Sequence, residues 1–375
     1  MVRARLTVST RLRIAYLINS LEGGGAQMLL PRVITALERH GAVVQVFALA
    51  RKDGKAIPRL QACGIEPQVY TGGLSNHIGA YRWALKAVRN FSPDAIVTSL
   101  TRATLFGQQI GRTLGVPVTS WQHSADGKPW NKRLLRARRA ASTFWIADSE
   151  SVAEFVRSRF SVPASDIVTW PLFVATGEGR VPKPWAPPQP VQIGSIGRLH
   201  ASKGYDVLIA ALAQLKKQSD ALPPFSVEIA GTGPEELRLR HMAEQMELTC
   251  LTFSGHVADP RKFLTKLHLY VQPSRREGFC IAAHEAMEAG VPVVASDVGE
   301  LPCSVIEGET GWLVPAHDSS ALAAGLRAML LRAPYLAQMG NSGRQRVIKT
   351  YTQKRFDNAA GEVMKRLHDA RRLVS

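Results

Sequence analysis

Short β-branched segments alternate with helix-forming segments along this chain, and the alternation occurs twice. In the first half, each strand-like run is followed by a stretch that favours a helix: LRIAYLINS, AVVQVFALA, DAIVTSL, VPVTSWQH and TFWIADS. Such a rhythm is typical of a parallel sheet covered by helices on both faces. The rhythm resumes in VQIGSIGRL, VEIAGTG, LTFSGHV, LHLYVQPS and VPVVASD. The sequence therefore predicts two similar doubly wound α/β domains.

The segment between the two series is dense in proline and glycine. Thr176 to Pro190 reads TGEGRVPKPWAPPQP, which predicts an interdomain linker. We therefore expect a first domain over residues 1–175, a linker over 176–190 and a second domain over 191–350. The basic stretch from Thr352 to Arg372 favours a helix, so residues 351–375 are predicted to form a C-terminal helix.

Length and composition exclude several classes of protein. A chain of 375 residues with 45% hydrophobic content can bury a large core, which excludes disorder. Its apolar runs are far shorter than the ~18 residues of a membrane span, and the basic start at Met1 to Arg13 leads into a strand-like run, unlike a secretory signal. The cysteines are scattered without metal-ligand spacing, which indicates reduced thiols: Cys63, Cys250, Cys280 and Cys303. We expect a cytoplasmic chain.

The net charge of +17 predicts an anionic partner. Six of the basic residues crowd the segment from Lys128 to Arg139, which also carries Trp130, Leu134 and Leu135. This mixture suits peripheral contact with an anionic membrane surface, and a solvated basic helix face is the alternative. Nucleic acid is not expected, because no helix-turn-helix, zinc-finger or RNP-type pattern accompanies the charge.

The stretch SRREGFCIAAHEAMEAGVPVVAS, residues 274–296, places two carboxylates beside a predicted helix start. Glu277 precedes a helix that begins near Cys280, and Glu285 lies inside it. The unpaired amides of the first turn attract an anion, and carboxylates accept hydrogen bonds from sugar hydroxyls. The alternative is an amphipathic surface helix with two solvated acids.

The order of several blocks in the second half resembles the retaining glycosyltransferases of family 4, also called group 1. The blocks are IGSIGRLHASKGYDVLIAAL, VEIAGTGPEE, FSGHV, YVQPSRREGFCIAAHEAM, VPVVASDVGELP and GETGWLVPAHD, and a weaker likeness covers YLINSLEGGGAQMLL, SWQHS and ADSESV in the first half. The resemblance implies a GT-B fold, with two Rossmann-like domains facing across a cleft and the C-terminal helix crossing back to the first domain. It also implies that the second domain binds a nucleotide-diphosphate sugar.

The resemblance assigns roles to residues of the second domain. Arg198 and Lys203, which follow a strand and have glycines beside them, match the pair that contacts the donor diphosphate. Glu277 matches the glutamate placed against the donor sugar, and Glu285 the one that binds the ribose hydroxyls. The helix start is expected to approach the phosphate through Gly278, Phe279 and Cys280. Cys280 stands where the family frequently has a glycine, and Cys303 where it frequently has a glutamate. These two departures weaken the resemblance at these positions.

Two candidate sites lie in the first half. Gly24 and Gly25 belong to a glycine run between the first strand and a helix, where backbone amides can approach donor phosphate or acceptor. Met28 occupies the third glycine position of a G-x-G-x-x-G pattern, which argues against a nicotinamide enzyme, and the absence of GxxxxGK[ST] removes a P-loop kinase.

His123 is the best catalytic candidate among the ten histidines. It ends the run VPVTSWQH and matches a family histidine that faces the donor sugar. The alternative is a histidine that caps a strand end. His200, His256 and His284 are interpreted as structural.

No two aspartates stand two residues apart, so the metal-binding D-x-D pair of other sugar transferases is absent from the sequence. We predict a metal-independent, retaining transferase that uses no cofactor beyond its nucleotide-sugar co-substrate and acts on a glycan or lipid-linked acceptor. The alternatives are a nucleotide-sugar epimerase of the same fold and a non-catalytic basic protein that binds membranes or nucleic acid.

Overall fold

The computed structural model describes residues 11–125, 127–217 and 222–374. Most of the basic start, residues 1–10, lies outside the described residues. By their internal contacts the residues form two compact units. The first comprises the chain up to His123, Gly127–Leu172 and the chain from Lys354 onward. The second comprises Phe173–Gln353 and a short segment that begins at Ser124.

The first unit contains a seven-stranded parallel sheet with helices. Its strands are β1 (Leu12–Ile18), β2 (Ala42–Ala48), β3 (Gln68–Val69), β4 (Ala95–Ser99), β5 (Val118–Gln122), β6 (Phe144–Ala147) and β7 (Ile167–Thr169). They are arranged in the order β3-β2-β1-β4-β5-β6-β7. The helices are α1 (Gly25–Arg39), α2 (Ile57–Gln61), α3 (His77–Phe91), α4 (Thr101–Leu114), α5 (Pro129–Ala137) and α6 (Glu150–Phe160).

The second unit repeats this arrangement with six parallel strands. They are β8 (Val191–Ile196), β9 (Phe225–Ala230), β10 (Leu251–Gly255), β11 (Leu269–Gln272), β12 (Val293–Ser296) and β13 (Gly311–Val314), in the order β10-β9-β8-β11-β12-β13. The helices of this unit are α7 (Tyr205–Lys216), α8 (Glu236–Gln245), α9 (Pro260–Leu264), α10 (Ile281–Glu288), α11 (Leu301–Ser304), α12 (Ser319–Leu330) and α13 (Leu336–Thr350). The next helix of the chain, α14 (Gln353–Val374), belongs to the first unit from Lys354 onward. The prediction of two doubly wound sheets is confirmed.

Burial explains why the long strand-like runs were recognisable. Every residue of β1 except Arg13 is buried, as expected for a strand covered on both faces. In the second unit, neighbouring residues of β11 enter different cores, since Val271 packs with one buried cluster and Tyr270 with the other. The sequence reading missed β3, β7 and β13, which are only two to four residues long and carry too few residues to show a period.

The strand order of each sheet indicates where a ligand site is expected. Both sheets have the doubly wound order in which the direction of winding reverses between two neighbouring central strands, β1 and β4 in the first unit and β8 and β11 in the second. Ligands of such sheets bind beyond the carboxyl ends of the strands at this switch point. The candidate residues Gly25, Lys203 and Glu277 follow β1, β8 and β11 in the sequence.

The proline-rich segment is anchored on the second unit. The buried carboxylate of Glu288 accepts hydrogen bonds from the amides of Thr176 and Gly177, at 2.6 and 3.1 Å. Arg344 donates to the carbonyl of Gly177. Trp185 packs against the core of this unit. The start of the segment therefore belongs structurally to the second unit.

Helix α14 packs within the first unit. Arg371 pairs with Asp94 at 2.8 Å, and a ring nitrogen of His40 lies 3.0 Å from the carbonyl oxygen of Asp357. The ring of Phe356 lies 5.3 Å from Trp170. None of the described helices is both long enough and apolar enough to span a membrane.

Candidate functional site

Lys203 and Glu277 form a close ion pair in the second unit. The Lys203 Nζ lies 2.7 Å from Glu277 Oε1, and the two side chains are 25% and 9% exposed. Burial alone would lower the pKa of Lys203, but the adjacent Glu277 carboxylate and the hydrogen bond to it raise this pKa above its ordinary value. The lysine therefore stays positively charged at neutral pH.

Residues from the end of β11 hold Glu277 in place. Ser274 Oγ and Gln272 Nε2 donate to its Oε1 at 2.6 and 3.2 Å, and the Cys280 thiol also bonds to this carboxylate. Gln272 is in turn oriented by the Tyr270 hydroxyl, 2.9 Å from its Oε1. A carboxylate with this many donors is fixed in orientation.

A second ion pair ties the loop that carries Glu277 to the loop that carries Lys203. Arg275 makes a bidentate pair with Asp206, at 2.8 and 2.7 Å, and also donates to the carbonyl of Ala201 at 2.7 Å. Burial would raise the pKa of Asp206, but the Arg275 guanidinium holds it below its ordinary value. The two loops are therefore braced against each other, which keeps Lys203 and Glu277 within hydrogen-bonding distance.

Gly204 allows these loops to approach closely. It follows Lys203 with φ of 67°, in the left-handed region, and a Cβ there would lie 2.0 Å from the carbonyl oxygen of Pro273. A side chain at this position would therefore push the two loops apart.

Helix α10 begins at Ile281 with Cys280 as its N-cap, close to the predicted start near Cys280. Cys280 itself adopts the left-handed conformation, with φ of 62°. A non-glycine residue there costs about 1–2 kcal/mol, so the departure from glycine is a local strain. Burial raises the pKa of the Cys280 thiol, and the Glu277 charge raises it further, so the sulfur is not a nucleophile.

The other predicted donor residues differ in exposure. Gly278 is buried and its carbonyl accepts a hydrogen bond from the Glu300 amide at 2.9 Å. The ring of Phe279 is buried, with its centroid 4.1 Å from that of His284, so only its backbone is available to a ligand. Glu285 is half-buried on the second turn of α10, and Arg198 is exposed two residues after β8.

The glycine run of the first unit is already partly bonded within the protein. The Gly23 amide donates to Asp53 Oδ1 at 3.2 Å, and the Gly24 amide donates to the carbonyl of Glu22 at 2.8 Å. Gly24 is the N-cap of α1, and a Cβ there would lie 2.5 Å from Gln27 Oε1. The Gly25 amide opens the helix, where an amide of the first turn has no acceptor within the helix, and the role of Gly24 and Gly25 stays a prediction.

His123 is held from both sides in the first unit. Its Nδ1 lies 3.0 Å from both carboxylate oxygens of Asp148, and its Nε2 lies 2.5 Å from Ser99 Oγ. The indole of Trp121 donates to Asp148 Oδ1 at 2.5 Å and stacks on the imidazole, with ring centroids 5.4 Å apart. The side chains of His123 and Asp148 are 7% and 5% exposed. His123 is thus the centre of a buried polar network and does not simply cap a strand.

Sequence reasoning missed Asp148 and Ser99, although strand order contains the signal that would have found them. β4, β5 and β6 are neighbours, and their register pairs Ser99 with Trp121 and Gln122 with Ala147. Ser99, His123 and Asp148 are therefore brought to the same carboxyl edge. Once the three strands are taken as consecutive neighbours in a parallel sheet, this contact can be derived.

His284 is structural, in agreement with the sequence reading. It is fully buried, its Nδ1 lies 2.9 Å from the carbonyl oxygen of Cys280 and its Nε2 lies 2.7 Å from Ser304 Oγ. Burial lowers its pKa to about 4. Among the described residues, no group of three or more His, Cys, Asp or Glu side chains is arranged to hold a metal ion.

The fold and the charged residues at the second switch point define a two-domain α/β protein of the nucleotide-binding type. The family model described as "Glycosyl transferases group 1" matches residues 181–346, and that described as "Glycosyltransferase Family 4" matches residues 23–178. The chain belongs to the group 1 glycosyltransferases of family 4, which share the GT-B fold.

Curated relatives carry related names. A colanic acid biosynthesis glycosyltransferase named WcaL from Salmonella typhimurium is 37% identical over 150 residues, 38% of this chain and 36% of that protein. WcaL of Escherichia coli is 33% identical over 192 residues, 48% and 47% of the two chains. A glycogen synthase of Mycobacterium tuberculosis is 32% identical over 178 residues, 46% and 42% of the two. The chain thus spans less than half the length of these relatives.

Solved structures support the fold. HepE of Anabaena, crystallised with UDP and glucose, superimposes with a TM-score of 0.80 at 19% identity, covering 95% of this chain and all of that one. Sucrose-phosphate synthase of Thermosynechococcus elongatus gives a TM-score of 0.77 at 22% identity, covering 96% of this chain and all of that one. At these identities the likeness concerns the fold alone.

Proposed function

We propose that this chain transfers a sugar from a nucleotide-diphosphate sugar to a glycan or lipid-linked acceptor, with retention at the anomeric carbon and without a metal ion. The observation that carries this proposal is the braced pair of Lys203 and Glu277 at the switch point of the second sheet. It places a cation for phosphate and a fixed carboxylate for sugar hydroxyls within one hydrogen bond of each other.

Each part of the donor has a matching group in the second unit. Arg198, Lys203 and the amides at the start of α10 offer positive charge to the diphosphate, whose charge grows as it leaves. Glu277 accepts bonds from the donor sugar, and Glu285, inside the same helix, accepts them from the ribose. When the phosphate binds, Lys203 bridges it to Glu277 and needs no large movement, because its side chain is already partly exposed.

The transfer step exchanges one bond for another at the anomeric carbon. The acceptor oxygen forms the new glycosidic bond on the face from which the diphosphate departs, and a donor phosphate oxygen takes the acceptor proton. Positive side chains stabilise the leaving group in place of a divalent ion. Activity is therefore expected to persist in EDTA.

The acceptor is proposed to belong to surface polysaccharide or glycolipid synthesis at the cytoplasmic face of the membrane. The names of the WcaL proteins refer to colanic acid, and a Rhizobium leguminosarum relative, 29% identical over 181 residues (46% of this chain and 49% of that protein), is named a lipopolysaccharide core mannosyltransferase. The basic segment Lys128 to Arg139 supports peripheral contact with an anionic bilayer, because its Trp130 is 70% exposed on α5.

Product analysis tests the proposed reaction. The full chain is incubated in EDTA with UDP-glucose, UDP-galactose, UDP-N-acetylglucosamine or GDP-mannose, with and without a polyprenyl-diphosphate-linked sugar. We expect one donor to yield a lengthened lipid whose new linkage keeps the donor's anomeric configuration by NMR. Glu277→Gln is expected to lower kcat at least 100-fold, because the carboxylate charge beside the donor is lost.

The control is Glu235→Gln, which removes a carboxylate paired with Arg238 in the same unit and should leave kcat within threefold. Conversion of the donor to another nucleotide sugar without acceptor would indicate an epimerase instead. Restoration of a lost activity by manganese or magnesium would contradict the metal-independent mechanism, and an inverted linkage would contradict retention.

A further inference from the structure

The buried network around His123 has a single consistent direction of hydrogen bonding. The Asp148 carboxylate can only accept, so the proton of a neutral His123 ring is on Nδ1 and Nε2 carries the lone pair. Ser99 must then donate its hydroxyl to Nε2, and its oxygen accepts from the Tyr16 hydroxyl, to which it is hydrogen-bonded. Burial raises the pKa of Tyr16, so this phenol remains a donor.

We propose that Asp148 is a positioning residue for His123: it fixes the ring plane and the tautomer, so that His123 presents Nε2 as a hydrogen-bond acceptor. This inference rests on the proposed transferase function, and it specifies that function further. A histidine in this tautomer accepts a hydrogen bond at Nε2 and does not donate one there. In this structure the hydroxyl that donates to Nε2 is that of Ser99.

The contacts of Trp121 and the burial of Asp148 support the positioning role of Asp148. Trp121 donates to the same Asp148 oxygen and stacks on Trp170, with centroids 4.9 Å apart, so the carboxylate cannot turn away from the imidazole. Asp148 itself is 3% exposed, and its buried charge is compensated by the donors from Trp121 and His123. The carboxylate, the imidazole and the indole thus form a rigid unit at the carboxyl edge of the first sheet.

Serine, histidine and aspartate side chains in contact also form the nucleophilic triad of hydrolases. That role does not fit this network, because Ser99 is fully buried and a substrate carbonyl cannot reach its hydroxyl. Ser99 therefore serves as the internal partner of Nε2. A second prediction follows: the full chain does not turn over p-nitrophenyl acetate in a manner that Ser99→Ala abolishes.

The tautomer can be measured without any substrate. In protein labelled with ¹⁵N in the histidine rings, the ring nitrogen shifts of His123, assigned by their loss in His123→Gln, report which nitrogen carries the proton. We expect Nδ1–H in the wild type and a switch to Nε2–H in Asp148→Asn, whose amide can donate to Nδ1. Asp166→Asn, a change in the same unit, should leave the His123 shifts unmoved. Nε2–H in the wild type, or an unchanged tautomer in Asp148→Asn, would overturn the assignment.

The consequence for turnover is measured separately. In a donor and acceptor assay, Asp148→Asn is expected to lower kcat at least 100-fold with the donor KM within threefold, whereas Asp166→Asn keeps wild-type kinetics. A wild-type kcat in Asp148→Asn would overturn the positioning role while the transferase stands. Failure of the wild type to transfer any sugar would instead overturn the proposed function, and the NMR result would still decide the tautomer. Esterase activity lost in Ser99→Ala would show a nucleophile.

Discussion

Cys280 and His284 lie one helical turn apart at the start of α10, and a hydrogen bond joins them. The carbonyl of Cys280 accepts from His284 Nδ1, which leaves Nε2 of a neutral ring to accept from the Ser304 hydroxyl. The ring of Tyr351 lies against the imidazole, with centroids 5.1 Å apart. A proton on both ring nitrogens would break the bond from Ser304, so the folded chain favours the neutral histidine.

This arrangement makes stability depend on pH. The pKa of His284 is about 4 in the folded chain and about 6.5 in the unfolded chain, so between these values only the unfolded chain binds the proton. The contribution of neutral His284 to the free energy of unfolding is complete above pH ~6.5 and is lost as the pH falls toward 4. At pH 5 we expect a loss of about 2 kcal/mol relative to pH 7.5.

Melting temperatures of the full chain at the two pH values check this expectation. In His284→Gln the fall between pH 7.5 and pH 5 should be smaller than in the wild type, whereas His241→Gln, at an exposed position on α8, should fall as the wild type does. An equal fall in His284→Gln and the wild type would contradict the buried neutral histidine.

In the second unit, those site residues that lie together in one short segment could be predicted from the sequence. Glu277, Cys280 and Glu285 belong to one continuous block, and a helix start near Cys280 follows from local composition. The pairing of Lys203 with Glu277 was not predictable, because it joins residues 74 positions apart through the packing of two loops. Asp148 was missed for the same reason, since its partner His123 lies on another strand.

At the scale of elements, α5 is a mostly exposed helix of the first unit. Leu135 is its only buried residue, while Trp130, Arg133 and Arg136 are exposed. Helices that face solvent in this way contribute little to the core. This exposure fits a solvated basic helix face as well as contact with an anionic surface, and we propose the latter.

Vesicle co-sedimentation tests this interpretation of α5. The full chain is expected to bind vesicles of phosphatidylglycerol and phosphatidylcholine but not of phosphatidylcholine alone. Reversal of two charges in Arg133→Glu with Arg136→Glu should weaken binding at least tenfold, because each basic residue near an anionic surface contributes about 1 kcal/mol. The matched control, Arg82→Glu with Arg89→Glu on exposed positions of α3, should weaken it less. Equal losses would indicate attraction by net charge alone.

Elements were predictable in proportion to their length and burial. The buried runs of β1, β4 and β5 and the helix α14 were recognised within one or two residues of their observed bounds. The edge strands β3 and β13 were not, because strand pairing with a neighbour, and not their own composition, makes them strands.

At the scale of the whole molecule, the chain uses one architecture twice. Each unit has a doubly wound parallel sheet, and each brings charged or polar side chains to the carboxyl edge. In the second unit these are a braced cation and carboxylate, and in the first a buried histidine network. The donor site that we propose belongs to the second unit, and the positioning of His123 by Asp148 belongs to the first.

The central claim is that the second unit binds a nucleotide-diphosphate sugar through Arg198, Lys203 and Glu277. Thermal shift of the full chain with UDP-, GDP-, ADP- and CMP-sugars tests it directly, since a ligand at 100 times its Kd stabilises the native state by about 2.7 kcal/mol. We predict that sugars of one base raise the melting temperature, and that Arg198→Ala weakens this binding about 10- to 100-fold while Arg238→Ala does not. No rise with any nucleotide sugar, or an undiminished rise in Arg198→Ala, would contradict the account.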